Sequence, residues 1–277
     1  MIDLVLQGAA VPTFLIDRIA GLTKAAQVTP QPPQAVRLRN VTRHPDVPSL
    51  CAREHLDFAY IDSGRRLSDY GLLAMDMDST LITIECIDEV ADFAGKKAEV
   101  SAITEAAMRG EIDYTESLRR RVALLAGLPA SILGRVFDER LRLSPGAREL
   151  LTAAHSAGLK TLLVSGGFTY FTERLKADLG LDAAFSNILE VVDGTLSGKV
   201  LGDIVDARGK ARHVAAMRDA LGLRRDQVIT IGDGANDLLM MAESGLSVAY
   251  HAKPVAREEA AVALNYVGLD GLLHLFE

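Results

Sequence analysis

The sequence predicts an α/β protein: a mostly parallel sheet with a helical cap inserted after its first strand, plus a small amino-terminal α+β module. Three observations predict it. Four short apolar runs, Leu72 to Met75, Thr161 to Val164, Val228 to Ile231 and Leu246 to Tyr250, lack alternation and so suit strands buried on both faces. Helix-patterned segments lie between them, which implies repeated β-α-β units. The interval from 85 to 145 is too long for a simple crossover and reads as helix broken at Gly110 and Gly127.

Composition bounds the function. With 277 residues, 49% of them hydrophobic and 24% charged, the chain suits one large α/β unit and a smaller partner. A formal net charge of -7 without a long basic run argues against a nucleic-acid binder. No segment approaches the ~18 consecutive apolar residues of a membrane span. The start, Met1 to Leu6, lacks the basic flank and long apolar stretch of a leader. Cys51 and Cys86 make neither a disulfide framework nor a zinc cluster. The expectation is a cytoplasmic protein.

Residues 1–68 read as the separate module. Leu4 to Leu6 and Phe58 to Ile61 are strands, and Phe14, Ile16, Ile19 and Leu22 give a helix its apolar spacing. Val28 to Gln34 is expected to be a loop, because Pro30, Pro32 and Pro33 remove amide donors. Holding neither paired carboxylates nor a Gly-rich loop, the module is expected to be regulatory or to form a homodimer.

The chemistry lies in residues 69–277, where three of the four apolar runs end in polar or Gly-containing turns. Ligands of such sheets bind at those carboxyl ends. The first turn is Asp76-Met77-Asp78-Ser79-Thr80. Two carboxylates two residues apart repel each other unless a cation lies between them. The chemical reading makes Asp76 a nucleophile toward phosphorus, with Asp78 protonating the leaving oxygen and then activating water. The bland reading is a capped turn.

Ser165-Gly166-Gly167 follows the second run, before a helix near Phe168. Free amides at a helix start attract anions, although such a triplet is also a common connector. Gly232-Asp233-Gly234-Ala235-Asn236-Asp237 follows the third. Asp233 can complete a magnesium shell, while Asn236 and Asp237 on the first helical turn can reach phosphate or act merely as caps.

Three cations and acids remain. Lys210 starts a helix with Val214, Met217 and Leu221 on one face, where its charge opposes the helix dipole and must desolvate. A bound phosphate removes both costs, and a snorkelling surface lysine is the alternative. At about 100° per residue from Leu118, Arg121 falls near 300°, inside the apolar arc, whereas Arg119 and Arg120 point away. It suits a substrate carboxylate or an ion pair inside the cap. Glu85 at the cap entry suits a helix start or a substrate ammonium.

Together these segments resemble the haloacid dehalogenase (HAD) superfamily of phosphotransferases. With Glu85, Ser117 to Val122 and Lys210 in order, they resemble more narrowly its phosphoserine phosphatase family. The resemblance implies a Rossmann-like, HAD-like core over 69–277 with a cap at about 86–143. It implies a magnesium-dependent phosphomonoesterase passing through an aspartyl-phosphate, acting on the small molecule phosphoserine in the last step of serine biosynthesis. It implies Asp76 as nucleophile and Asp78 as acid, with Mg2+ held by Asp76, Asp78 through its backbone oxygen, and Asp233. Phosphate falls to Ser165, Gly166, Lys210 and Asn236, with Asp237 behind them; the ammonium falls to Glu85 and the carboxylate to Arg121. Met77 stands where many relatives carry Phe. A phosphatase for another small phosphate, and a phosphorylatable regulator, remain as alternatives.

Overall fold

In the computed structural model, which describes every residue apart from the side chain of Met108, the chain forms two sheets. The first holds β1 (Ile2–Gln7), β2 (Gln27–Gln31), β3 (Ala35–Arg39) and β4 (Asp57–Asp62) in the order β2-β3-β1-β4, all antiparallel. Helices α1 (Thr13–Thr23) and α2 (Val47–Arg53) cover one face, packing Leu15, Ile19, Leu50 and Cys51 on Leu4, Leu6 and Leu38. The opposite face, with Val5, Ala35, Ala59 and Ile61, packs against Leu272, Leu275 and Phe276. Strand β1 is therefore buried on both faces.

Two expectations for this module fail. The Val28–Gln34 segment is not a loop, because Gln27–Gln31 is strand β2. As an edge strand bonded only to β3, β2 places Pro30 where the sheet needs no donor, and Pro32 and Pro33 fall in the turn. Phe14 is 63% exposed, and Leu15 takes its expected place in the apolar face of α1.

The second sheet begins at β5 (Leu72–Met75). Four cap helices follow: α3 (Cys86–Phe93), α4 (Lys97–Met108), α5 (Tyr114–Ala123) and α6 (Ser131–Arg135). Gly110 and Gly127, both at positive φ, mark breaks between them as the sequence suggests. The cap hangs on a two-stranded neck, in which Ile82 bridges Leu143, Thr83 N–H donates to Arg142 O (3.0 Å) and Ser144 N–H donates to Leu81 O (2.9 Å). After it come α7 (Ala147–Ser156), β6 (Lys160–Phe168), α8 (Thr169–Leu179), β7 (Ala183–Val192), β8 (Thr195–Leu201), α9 (Ala207–Ala220), β9 (Val228–Gly232), α10 (Leu238–Met241), β10 (Leu246–Tyr250), α11 (Pro254–Glu259) and β11 (Val262–Leu264).

The order is β11-β10-β9-β5-β6-β7-β8, parallel except for β8. Leu73 and Met75 of β5 pack on the α7 and α8 side with Leu150 and Phe171, while Leu72 and Ala74 pack on the other with Val214 and Met240. This two-sided burial explains the unalternated runs. The chain leaves β5 toward β6 on one side and returns to β9 on the other. Such a reversal opens a crevice at the carboxyl end of β5. No helix among the described residues is long and apolar enough to cross a membrane.

Candidate active site

Strand register assembles the site. Met75 pairs with Leu163 of β6 and with Ile231 of β9, so the next residue, Asp76, emerges beside both neighbouring turns. Its N–H donates to Ile231 O (3.0 Å), and its Oδ1 accepts the Met77 N–H (2.8 Å), capping the turn it starts. Ser79 takes a left-handed conformation (φ 56) that redirects the chain, and its hydroxyl donates to Glu85 Oε1 (2.8 Å). Asp78 Oδ1 accepts the Cys86 N–H at the start of α3 (3.1 Å).

Lys210 is 2% exposed, which removes the snorkelling alternative. Its Nζ lies 2.7 Å from Asp76 Oδ1 and 2.8 Å from Asp237 Oδ1. Burial alone would lower its pKa, but the two carboxylates outweigh burial and raise it, so the ammonium stays charged. Asp237 Oδ2 accepts the N–H groups of Asp233 (3.1 Å) and Gly234 (3.2 Å), which folds the Gly232–Asp237 turn over its own carboxylate.

The acids are held away from their ordinary values. Burial lifts Asp76 well above the carboxylate range, against the pull of Lys210 and with the charge of Asp237 adding. Burial, reinforced by Glu85, pushes Asp78 up to about 7, and burial with Asp237 pushes Asp233 up to about 6. Asp76, Asp233 and Asp237 each bring a carboxylate oxygen within 4.8 Å of the others. Among the described residues, the four acids Asp76, Asp78, Asp233 and Asp237 face two ammoniums, Lys210 and, 4.0 Å from Asp233, Lys253. An all-oxygen donor set with acid in excess fits a hard divalent cation.

A cavity of about 400 Å³ lies between this floor and the cap. Asp76, Asp78, Glu85, Arg121, Ser165, Gly166, Lys210, Asp233 and Asn236 all line it, and Asp237 lies just behind them. Arg121 enters from α5, and its Nε is buried without a hydrogen-bond partner. No acid among the described residues lies within 4.0 Å of its guanidinium. The ion pair inside the cap that the sequence left open is not made. Arg120, by contrast, points outward and pairs with Glu116.

At the second turn the strand does not stop. β6 runs on through Ser165-Gly166-Gly167 to Phe168, with a shift of register against β7. Ser165 Oγ accepts the Gly167 N–H (2.8 Å). A Cβ on Gly167 would lie 2.9 Å from Asp78 Oδ2 and 2.8 Å from Met77 Cε, so only glycine lets this backbone approach the floor.

Three participants escape the motif reading. Asn187 on β7 is buried, donates from Nδ2 to Gly166 O (2.8 Å) and accepts Val205 N–H at Oδ1 (2.8 Å), bracing the Ser165 turn against the approach to α9. Nothing in its sequence context marks it. Lys253 stands on the turn before α11. Tyr114 lies seven residues before Arg121 on α5, and that two-turn spacing was a usable signal.

Comparison with known proteins agrees with this geometry. The family model for haloacid dehalogenase-like hydrolase matches residues 73–242. A phosphoserine phosphatase of Polaromonas sp. is 58% identical over 215 residues, covering 76% of this chain and 91% of that protein. Among solved structures, a HAD family hydrolase of Salmonella enterica serovar Typhi superposes with a TM-score of 0.90 at 32% identity, over 100% of this chain and 99% of that one. A probable phosphoserine phosphatase of Vibrio cholerae, in unliganded form, gives 0.85 at 37% identity, over 99% and 85%. With its catalytic-type turns on three adjacent strands and a relative this similar, the chain is an enzyme that belongs to the haloacid dehalogenase-like hydrolase family, in the branch whose members are named phosphoserine phosphatases.

Proposed function

We propose that the enzyme hydrolyses phosphoserine to serine and phosphate through an aspartyl-phosphate on Asp76. The observation that carries the substrate is the unpartnered, buried Nε of Arg121, facing the same cavity as Asp76 and Lys210. A buried N–H donor without an acceptor is costly, and a substrate carboxylate meeting this half-buried guanidinium removes the cost with a bidentate contact. Glu85, held by Ser79, offers the opposite charge for the substrate ammonium. Phosphate then faces Lys210, the Ser165 hydroxyl, Gly166 and Asn236.

In the first step the Asp76 carboxylate attacks phosphorus as the serine oxygen leaves, and Asp78 gives that oxygen its proton. In the second step Asp78 takes a proton from water, the water oxygen attacks phosphorus, and the Asp76 carboxylate is released with inorganic phosphate. Lys210 offsets charge on the phosphoryl oxygens throughout, and the cap excludes bulk water. Asp76, Asp233 and the backbone oxygen of Asp78 would hold magnesium, which supplies the positive charge that lets a carboxylate approach a phosphate dianion. Asp237, saturated by Lys210, two backbone N–H groups and the Asn236 side-chain amide at 3.4 Å, orients rather than reacts. For the amino-terminal module we propose a regulatory or homodimer-forming role.

The test is phosphate release from phosphoserine, with and without EDTA, beside phosphothreonine and phosphoethanolamine. Release that is fastest with phosphoserine and abolished by EDTA supports the reading. Equal release from phosphoethanolamine would remove Arg121 from substrate recognition, and turnover in EDTA would remove the cation.

A further inference from the structure

We infer that the Tyr114 hydroxyl is a positioning group that latches the cap onto the phosphate turn through the Gly166 carbonyl. Tyr114 opens helix α5 in the cap, and its hydroxyl donates to Gly166 O at 3.1 Å, across 52 residues of sequence and across the substrate cavity. The acceptor is already held from within the core by Asn187 Nδ2 at 2.8 Å. The two bonds differ in kind. Asn187 and Gly166 both belong to the large sheet, so their bond persists whatever the cap does. The Tyr114 bond exists only while the cap is down.

The fit is too close for a side chain at the acceptor. A Cβ added to Gly166 would stand 2.2 Å from the Tyr114 oxygen, so the glycine is what lets cap and turn meet at hydrogen-bond distance. The acceptor is also well placed for function. The Gly166 carbonyl shares its peptide plane with the Gly167 N–H, which bonds Ser165 Oγ. Fixing the carbonyl from both sides therefore fixes that plane and the serine hydroxyl attached to it. The helix itself is anchored by Asp113, whose Oδ1 accepts the Glu116 N–H (2.8 Å), so the tyrosine is presented from a rigid end. Burial pushes the phenol up to about 12, which keeps it a donor at any ordinary working pH.

This inference rests on the proposed role of the Ser165 turn in phosphate binding, but its test does not need a substrate. Spin labels at Arg119→Cys on the outer face of α5 and Asp178→Cys on α8 report the cap-to-core distance in the free enzyme. Both positions are exposed, and the native Cys51 and Cys86 are buried and escape labelling. Tyr114→Phe removes one oxygen and keeps the ring. The expected result is a longer-distance population whose ratio to the short one rises about fivefold, the value that one net hydrogen bond of about 1 kcal/mol confers. Distance distributions that are identical with and without the Tyr114→Phe substitution would overturn the latch, whatever the substrate proves to be. As a second readout, the melting temperature of Tyr114→Phe is expected to stay within about 3 °C of the parent; a uniform loss of stability without a change in the distance ratio would make the hydroxyl merely structural.

Discussion

At the scale of single residues the site is defined by which charges have partners. Lys210 has two carboxylates, Asp237 has a lysine and three amides, and the Arg121 Nε has none. The first prediction follows from the most committed group. Asp76→Asn removes the proposed nucleophile but keeps the shape, so turnover of phosphoserine is expected to fall by about a thousandfold or more while the substrate still binds. Rapid-quench assay for protein-bound phosphate, alongside steady-state turnover, checks it. The second concerns the least committed group. Arg121→Ala is expected to cost about ten- to a hundredfold in kcat/KM for phosphoserine, the range of a charged hydrogen bond, and several-fold less for phosphoethanolamine. Arg121→Lys should recover little, because an ammonium cannot make the forked contact. Most of these residues were legible in the sequence, because like charges at a strand end and a lysine on an apolar helix face each demand an explanation. Asn187 was not legible. An asparagine reveals its two-ended bracing role only when the chain segments it joins, around Gly166 and Val205, are brought together in space.

At the scale of elements, burial decided what could be read. Strands β5 and β10 appear with the bounds that the apolar runs gave, because both are buried on two faces and their runs stop where the sheet stops. Strands β7 and β8 form the outer edge of that sheet, with Ile188, Val191, Val192 and Leu201 all more than two-fifths exposed, and they carry no periodicity to follow. Strand β2 was hidden by Pro30 within it and by the two prolines just after it; an edge position tolerates Pro30. Helix α5 supports the element-scale prediction, since it carries Tyr114 and Arg121 into the cavity from one capped end. Asp113→Ala removes the acceptor for the Glu116 N–H and is expected to cost about 1 kcal/mol, with a matching rise in KM as α5 frays. Thermal melting and steady-state kinetics on the same preparation would show whether both change.

At the scale of the whole molecule the two sheets are joined by buried polar contacts as well as by apolar ones. Arg37, 1% exposed on β3, donates to the carbonyls of His274 (2.9 Å) and Phe276 (3.1 Å) and pairs with Asp3. Asp57 on β4 accepts the N–H groups of Asn265 (2.7 Å), Tyr266 (2.9 Å) and Val267 (3.2 Å). Asp57→Ala leaves those donors unpaired, the Val267 N–H among them buried, and a loss of about 2 kcal/mol in urea unfolding is expected. Asp3 adds a pH dependence. Burial raises its pKa, but the Asn40 N–H, the Ser63 hydroxyl and Arg37 outweigh burial and leave it lowered. A carboxyl lowered in the folded state stabilises above its unfolded value and loses that contribution as pH falls through the folded one. The stability gap between wild type and Asp3→Asn should therefore be full at pH 7 and narrow progressively below about pH 4. None of this junction was visible in the sequence, because its partners lie more than 200 residues apart. The narrow neck at Ile82 and Leu143 has a practical corollary for protein engineering. Since outgoing and returning chains already touch there, a short turn spliced between them would excise the lid in one cut. The remnant would keep Asp76, Asp78, Lys210 and Asp233 but forfeit Glu85 and Arg121, so under the proposed assignment it should still cleave simple phosphate esters while losing any preference for phosphoserine.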